Sequence, residues 1–151
     1  IGAGSSGPDT RWGEKNFISL INKLNENGKY FFYIQCGPEQ NQISKNIIYN
    51  VNKKNCMDLS NMNIKEIIPI LYLSDMYVGN DSFSHHVTSQ CNKPSIVLLL
   101  NSPKAYSDYS KNHHRIIPDN ASIEDIDHSS KYDANLIGVE KVFNKIINLK
   151  N

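Results

Sequence analysis

Apolar residues recur along this chain in two alternating rhythms. Phe17, Leu20, Ile21 and Leu24 keep the i, i+3, i+4, i+7 spacing of a helix with one buried face. Gly28 follows where a helix-ending glycine takes positive φ at little cost. Residues 30–34 are aromatic and β-branched, which predicts a strand. Cys36-Gly37-Pro38 turns the chain, and Ile43, Ile47 and Val51 predict a second helix. A short strand is expected at 56–59. Ile64, Ile67, Ile68 and Leu71 form a third helical stripe. Pro69 lies inside it and predicts a kink or an early break, because proline donates no backbone hydrogen bond.

Residues 76–79 read as extended, followed by a polar helix running to about Asn92. Residues 95–100 are continuously apolar, as in a strand covered on both faces. A last short strand is expected at 114–117. Ile137, Val139, Val142, Phe143, Ile146 and Ile147 then predict a C-terminal helix. Strand alternating with helix at this spacing argues for an α/β fold, a parallel sheet flanked by helices. The opening Ile1-Gly2-Ala3-Gly4 reads as the end of a strand entering a loop. With no initiating methionine, the chain is expected to be a piece of a longer protein, residues 1–151 forming one domain. Residues 101–135 are mostly polar and longer than a normal connector, which points to a functional or mobile segment.

Composition narrows the function classes. A chain of 151 residues with 39% hydrophobic and 21% charged residues supports one ordinary core. Sixteen basic against fifteen acidic residues leave a formal charge of +1. Only Arg11 and Arg115 are arginines. Nucleic-acid binding by bulk electrostatics is therefore not expected. The longest near-apolar run, 67–73, is far short of the roughly 20 residues of a membrane span. Cys36, Cys56 and Cys91 are odd in number and widely separated, so no disulfide framework is implied and a reducing cytoplasm is the expected setting.

Ligands of an open parallel sheet bind beyond the carboxyl ends of its strands. Three loops qualify here. Gly2-Ala3-Gly4-Ser5-Ser6-Gly7 offers small residues that let backbone amides approach an anion, although it lacks both the dinucleotide fingerprint and a P-loop ending. Gln35 to Gln40 carries Glu39, a candidate for ribose hydroxyls or for capping a helix. Val78 to Val87 places Asp81 and Ser82 where a strand meets a helix. Asp81 is a simple N-cap or a carboxylate for sugar hydroxyls, with His86 about one turn farther in. The remaining histidines, His85, His113, His114 and His128, are expected to be neutral surface residues, and no metal is expected. Trp12 is expected to pack the first helix on the sheet.

Gly2-Ala3-Gly4-Ser5-Ser6, Arg11-Trp12, the turn at Cys36-Gly37-Pro38, and Tyr77 to Ser82 with His86 resemble the C-terminal half of bacterial heptosyltransferases. Asn92 to Leu98 is similar to the segment that follows in that family. The resemblance implies the donor half of a GT-B glycosyltransferase: two Rossmann-like domains facing across a cleft, with inverting, metal-free sugar transfer. The donor would be a nucleotide-sugar, typically ADP-heptose, with no cofactor. The acceptor would be a lipid-linked saccharide of the lipopolysaccharide core, held with the catalytic base on a separate N-terminal domain. That setting implies a cytoplasmic protein, peripheral at the inner face of the membrane.

Carried over by this resemblance, Asp81 would hold sugar hydroxyls. Ser82 and the following amides would hold the diphosphate, and Arg11 and His86 would be the catalytic side chains of this half, stabilising the diphosphate as it leaves. Ser5 and Ser6 take the phosphate-loop position, and Met62 a position lining the base. Three residues depart from the family pattern: Phe83 stands for a glycine, Thr10 for a lysine, and Gln40 for a ribose-binding glutamate, with Glu39 one residue early. Glycine permits close backbone approach, so Phe83 is expected to narrow the site or change its torsion. Another GT-B transferase or epimerase half with a different sugar nucleotide, or a non-catalytic α/β module, fits the same pattern.

Overall fold

Gly2 sits at the centre of the sheet. The computed structural model describes residues 1–26 and 29–150, so Gly28 and its expected capping role lie outside the described residues. On one side the Gly2 N–H donates to Val78 O at 2.9 Å, and its carbonyl accepts from Asn80 N at 2.9 Å. On the other side Ala3 N donates to Gln35 O at 3.0 Å and Gln35 N to Ile1 O at 2.8 Å. These parallel bridges join two parallel sheets. One pairs β1 (Phe32–Ile34) with β2 (Cys56–Asp58). The other runs β3 (Tyr77–Asn80), β4 (Ser95–Leu98), β5 (His113–Ile116).

Across the joined sheet the order is β2, β1, the Gly2 segment, β3, β4, β5. Numbered along the chain that is 3-2-1-4-5-6, the Rossmann order, whose reversal falls between the first segment and the fourth. The seam there is tight. A Cβ on Gly79 would lie 2.3 Å from the Gly2 carbonyl oxygen, and one on Gly2 would lie 1.9 Å from the Tyr77 hydroxyl. Only glycine fits at either position. The Tyr77 hydroxyl, threaded between them, donates to Asn80 O at 2.7 Å.

Helices cover the sheet: α1 (Glu14–Asn25), α2 (Asn41–Tyr49), α3 (Ile64–Leu73), α4 (Phe83–Gln90) and α5 (Val139–Lys150). The stripe of α1 is buried as its spacing predicts, and it packs against α5. Trp12 is fully buried, with Nε1 donating to Ile137 O at 2.8 Å and its ring edge-on to Phe17. It is a core residue, as expected. Every residue of β4 is buried.

The expected break at Pro69 does not occur, since α3 continues through it to Leu73. Proline removes one backbone donor, and other contacts offset that loss. Asn63 Oδ1 accepts from Glu66 N at 3.2 Å while the Glu66 carboxylate accepts from Asn63 N at 2.9 Å. Ile67 and Leu71, buried on either side of the proline, hold the helix to Leu59. The stretch 101–135 holds β5 and three short 3₁₀ turns, with Ile126 anchored in the interior. Among the described residues, no helix is long and apolar enough to cross a membrane.

Candidate functional site

Beyond the carboxyl end of β3, beside the reversal of strand order, lies a hollow of about 290 Å³. Ser6, Thr10, Asp81, Ser102, Tyr106 and His128 help to line it. A larger cavity of about 680 Å³ opens at the opposite end, among Ile1, Met76, Pro94 and other residues that precede the strands. The last turns of α1, α3 and α5 reach it through Leu24, Leu73 and Leu149, and helix C-termini disfavour anions, so the smaller hollow is the better placed for an anionic ligand.

Asp81 follows β3 directly and precedes the helix. Ser82, with extended torsions, is the N-cap of α4, so Asp81 is not the cap. That frees its carboxylate, and Oδ1 meets His85 Nε2 at 2.5 Å. The partner expected from the sequence was His86, whose Nε2 stands 3.7 Å from the same oxygen. Helix α4 starts at Phe83 and buries Ser84, His85, Thr88 and Ser89, which turns His85 inward onto Asp81 and leaves His86 half-exposed. Burial pushes the Asp81 pKa up, but bonds from His85 and Ser102 and the two nearby imidazoles leave it below the ordinary carboxylate value. Burial and the neighbouring His85 lower the His86 pKa. His86 Nδ1 bonds the Tyr109 hydroxyl.

The opening loop is held by the residues that depart from the family pattern. Gln40 Oε1 accepts from Ser5 N at 3.1 Å, and Gln40 Nε2 donates to Ser5 O at 2.7 Å. Thr10 Oγ1 donates to Gly7 O at 2.7 Å and also meets the Ser5 hydroxyl. A Cβ on Gly4 would sit 2.6 Å from Gln40 Oε1, so this closure needs glycine. Arg11 reaches the loop from its C-terminal flank. Its one protein acceptor is the Ser5 carbonyl, 3.4 Å from Nη2, and its buried Nε has no partner among the described residues.

The structure therefore brings Ser6, Thr10 and Asp81 to one hollow, with Ser5 and Arg11 joined to each other on the same loop and His86 at Asp81. It does not bring the other candidates there. Glu39 is exposed on a 3₁₀ turn, and Gln40 spends its amide on Ser5. Met62 packs on the separate cluster of Leu59, Ile67 and Leu71. The Ser82 hydroxyl faces Tyr77 at 3.0 Å. Phe83 begins α4 with its ring 41% exposed. Its backbone lies outside the positive-φ region that only glycine adopts freely, since among the described residues Asn92 alone carries positive φ without being glycine. His85 and His113 are buried, which corrects their reading as surface histidines.

Two residues that the sequence reading passed over also shape the site. Buried Asn80 ties Trp12 N and Ala3 O together, and Ser102 stands beside Asp81. The i, i+4 spacing of Asp81 and His85 was the visible signal for their pairing.

The model of glycosyltransferase family 9 (heptosyltransferase) matches residues 1–133. The chain belongs to glycosyltransferase family 9. Three solved structures share its fold. Escherichia coli ADP-heptose LPS heptosyltransferase II is similar with a TM-score of 0.80 at 21% identity, over 98% of this chain and 44% of that one. E. coli heptosyltransferase WaaC with ADP-2-deoxy-2-fluoro heptose is similar at 0.73 and 16% identity, over 99% of this chain and 42% of that one. WaaC with ADP gives 0.72 and 18%, over the same shares. This family 9 chain thus spans less than half the length of those structures and has the α/β architecture of GT-B heptosyltransferases. No curated protein sequence matches it.

Proposed function

We propose that this chain is the donor-binding, C-terminal half of a heptosyltransferase-like glycosyltransferase, one Rossmann-like domain that holds a nucleotide-sugar. The observation that carries this reading is that Asp81 and the Ser6–Thr10 loop line one hollow at the reversal of strand order. Sugar hydroxyls donate to the Asp81 carboxylate, which its low pKa keeps ionised at neutral pH. The diphosphate meets the loop amides, the amides that open α4 and the Arg11 guanidinium. In the whole enzyme an acceptor hydroxyl attacks the anomeric carbon from the far side. The bond to the diphosphate breaks with inversion, and the hydroxyl proton passes to a base on another domain. Arg11 and the helix-terminal amides stabilise the departing diphosphate. No metal or other cofactor enters this transfer.

ADP-heptose is the favoured donor, since two structures of similar fold hold ADP or an ADP-heptose analogue. The acceptor is a lipid-linked saccharide of the lipopolysaccharide core, reached from the cytoplasm at the membrane's inner face. The isolated chain binds nucleotide weakly and transfers no sugar. Calorimetric titration with ADP, UDP, GDP and ADP-heptose tests this reading: ADP-heptose should bind tightest and UDP and GDP least. Equal affinity for all, or for none, overturns it, and turnover by the isolated chain overturns its inactivity. One observation favours a second reading, a donor site with altered base or ribose preference. Gln40, at the family's ribose-binding position, is committed to Ser5. Tighter binding of a UDP- or GDP-sugar would select it.

A further inference from the structure

Three imidazoles converge beside the hollow, where α4 meets the sheet edge. One ring nitrogen from each of His85, His86 and His113 lies within 4.8 Å of the other two. The ring centroids are 3.7 Å apart for His85–His86, 5.0 Å for His85–His113 and 6.2 Å for His86–His113. His85 is 0% exposed and His113 7%. Both carry nitrogens without hydrogen-bond partners: Nδ1 of His85, and both Nδ1 and Nε2 of His113. The backbone carbonyls of Ser107 and His85 lie near enough to the His113 ring to raise its pKa against burial, so an N–H on one ring nitrogen has an acceptor at hand and the other nitrogen keeps its lone pair. A buried ring nitrogen left unpaired costs about 1–3 kcal/mol, and an ion in the cluster would pair one on His85 and one on His113.

We propose that His85, His86 and His113 bind one Zn²⁺ ion, a metal clip between α4 and β5. This proposal departs from the expectation that these histidines carry no metal. The outer contacts suit the task. Asp81 holds His85 by Nε2 and Tyr109 holds His86 by Nδ1. A carboxylate or hydroxyl on one imidazole nitrogen fixes the tautomer and orients the other nitrogen toward a metal. His85 Nδ1, His86 Nε2 and one nitrogen of His113 remain for the ion. Imidazoles without thiolates or a carboxylate cage favour Zn²⁺ over Mg²⁺ or Ca²⁺. Zinc–nitrogen bonds of about 2.0–2.1 Å require the three rings to draw together by small rotations, with half-exposed His86 the freest to turn. Neutral imidazoles bind through lone pairs, a solvent oxygen completes the tetrahedron, and no bond in the protein breaks. The clip would fix the helix whose start carries Asp81 and Ser82. Its argument does not depend on the donor reading.

The test uses untagged protein stripped with a chelator and then titrated with ZnCl₂. Calorimetry and elemental analysis should give one zinc per chain with a Kd of micromolar or below, and the melting temperature should rise. Co²⁺ in place of Zn²⁺ should give the visible d–d absorption of a tetrahedral nitrogen-rich site. His113→Ala should weaken binding by roughly 100-fold or more. His113→Phe, which keeps ring volume, serves if the alanine variant does not fold. Less than one zinc per chain, or unchanged affinity in a folded His113 variant, overturns the proposal. ADP titration of the chelated protein separates the two ideas, because nucleotide binding without zinc uptake sinks the metal site alone, and zinc uptake without nucleotide binding sinks the donor site alone.

Discussion

Asn80 and Trp12 are joined by a buried hydrogen bond, the Asn80 Oδ1 accepting from the Trp12 N–H at 2.8 Å. The other half of the same amide donates to Ala3 O at 2.8 Å. One side chain at the end of β3 thus fixes both ends of the opening loop. Asn80→Ala leaves a buried donor and a buried acceptor unpaired, each costing about 1–3 kcal/mol. Urea denaturation should show a loss of roughly 2–6 kcal/mol. A loss below about 0.5 kcal/mol would show that the loop does not depend on this residue.

The seam between Gly2 and Gly79 predicts a sharp contrast between glycines. Gly79→Ala puts a methyl 2.3 Å from the Gly2 carbonyl oxygen, so the sheet must part or the chain must fail to fold. Gly138→Ala meets nothing within 4 Å and should melt within a degree or two of the parent. Equal melting temperatures for the two variants would contradict the described packing.

Asp81 and Arg11 should separate in binding. Asp81→Asn keeps the shape and loses the charge, so affinity for ADP-heptose should fall by about tenfold while that for ADP changes little. Arg11→Ala should weaken both, because the diphosphate is common to them. Should Asp81→Asn leave the sugar nucleotide's affinity intact, the carboxylate is not a sugar ligand.

Acid stability should depend on Asp58. Burial pushes its pKa up, but hydrogen bonds from Ser60 and Ser44 outweigh this and hold it below the ordinary value. A folded pKa below the unfolded one gives stability that is present above the unfolded value, about pH 4, and lost as pH falls through the folded value. Between about pH 5 and pH 2 the parent should therefore lose stability more steeply than Asp58→Asn. Parallel curves would refute the assignment.

Thiol chemistry offers an independent check. Cys36 is 1% exposed, and burial, then the charge of Asp58, push its pKa up to about 12. At about pH 8 its labelling in the folded protein should be slower than in concentrated urea by roughly a thousandfold. Mass spectrometry after timed alkylation reads this directly, and rapid labelling of folded protein would contradict the burial.

The elements legible in the sequence were those with a local period. Phe17 to Leu24 and the run 95–100 announce their helix and strand because each repeats within its own length. The Asp81 loop was legible too, as a strand end meeting a helix start. Other features depended on distant partners. The opening segment read correctly as a strand end, but that Gly2 bridges two strands at once was marked by no local period. The choice of His85 over His86 required knowing that α4 starts at Phe83. Gln40 read as a lost ligand, yet its amide fits the Ser5 backbone, which only the folded loop reveals. Pro69 was overestimated because a local rule met a helix pinned by its cap and its buried face.

The walls of the small hollow come from Ser6 near one terminus to His128 near the other, with Asp81 and Ser102 between. Such a hollow needs contacts between segments far apart in sequence, so it is expected to form late, and a ligand that fills it should slow unfolding more than it speeds refolding.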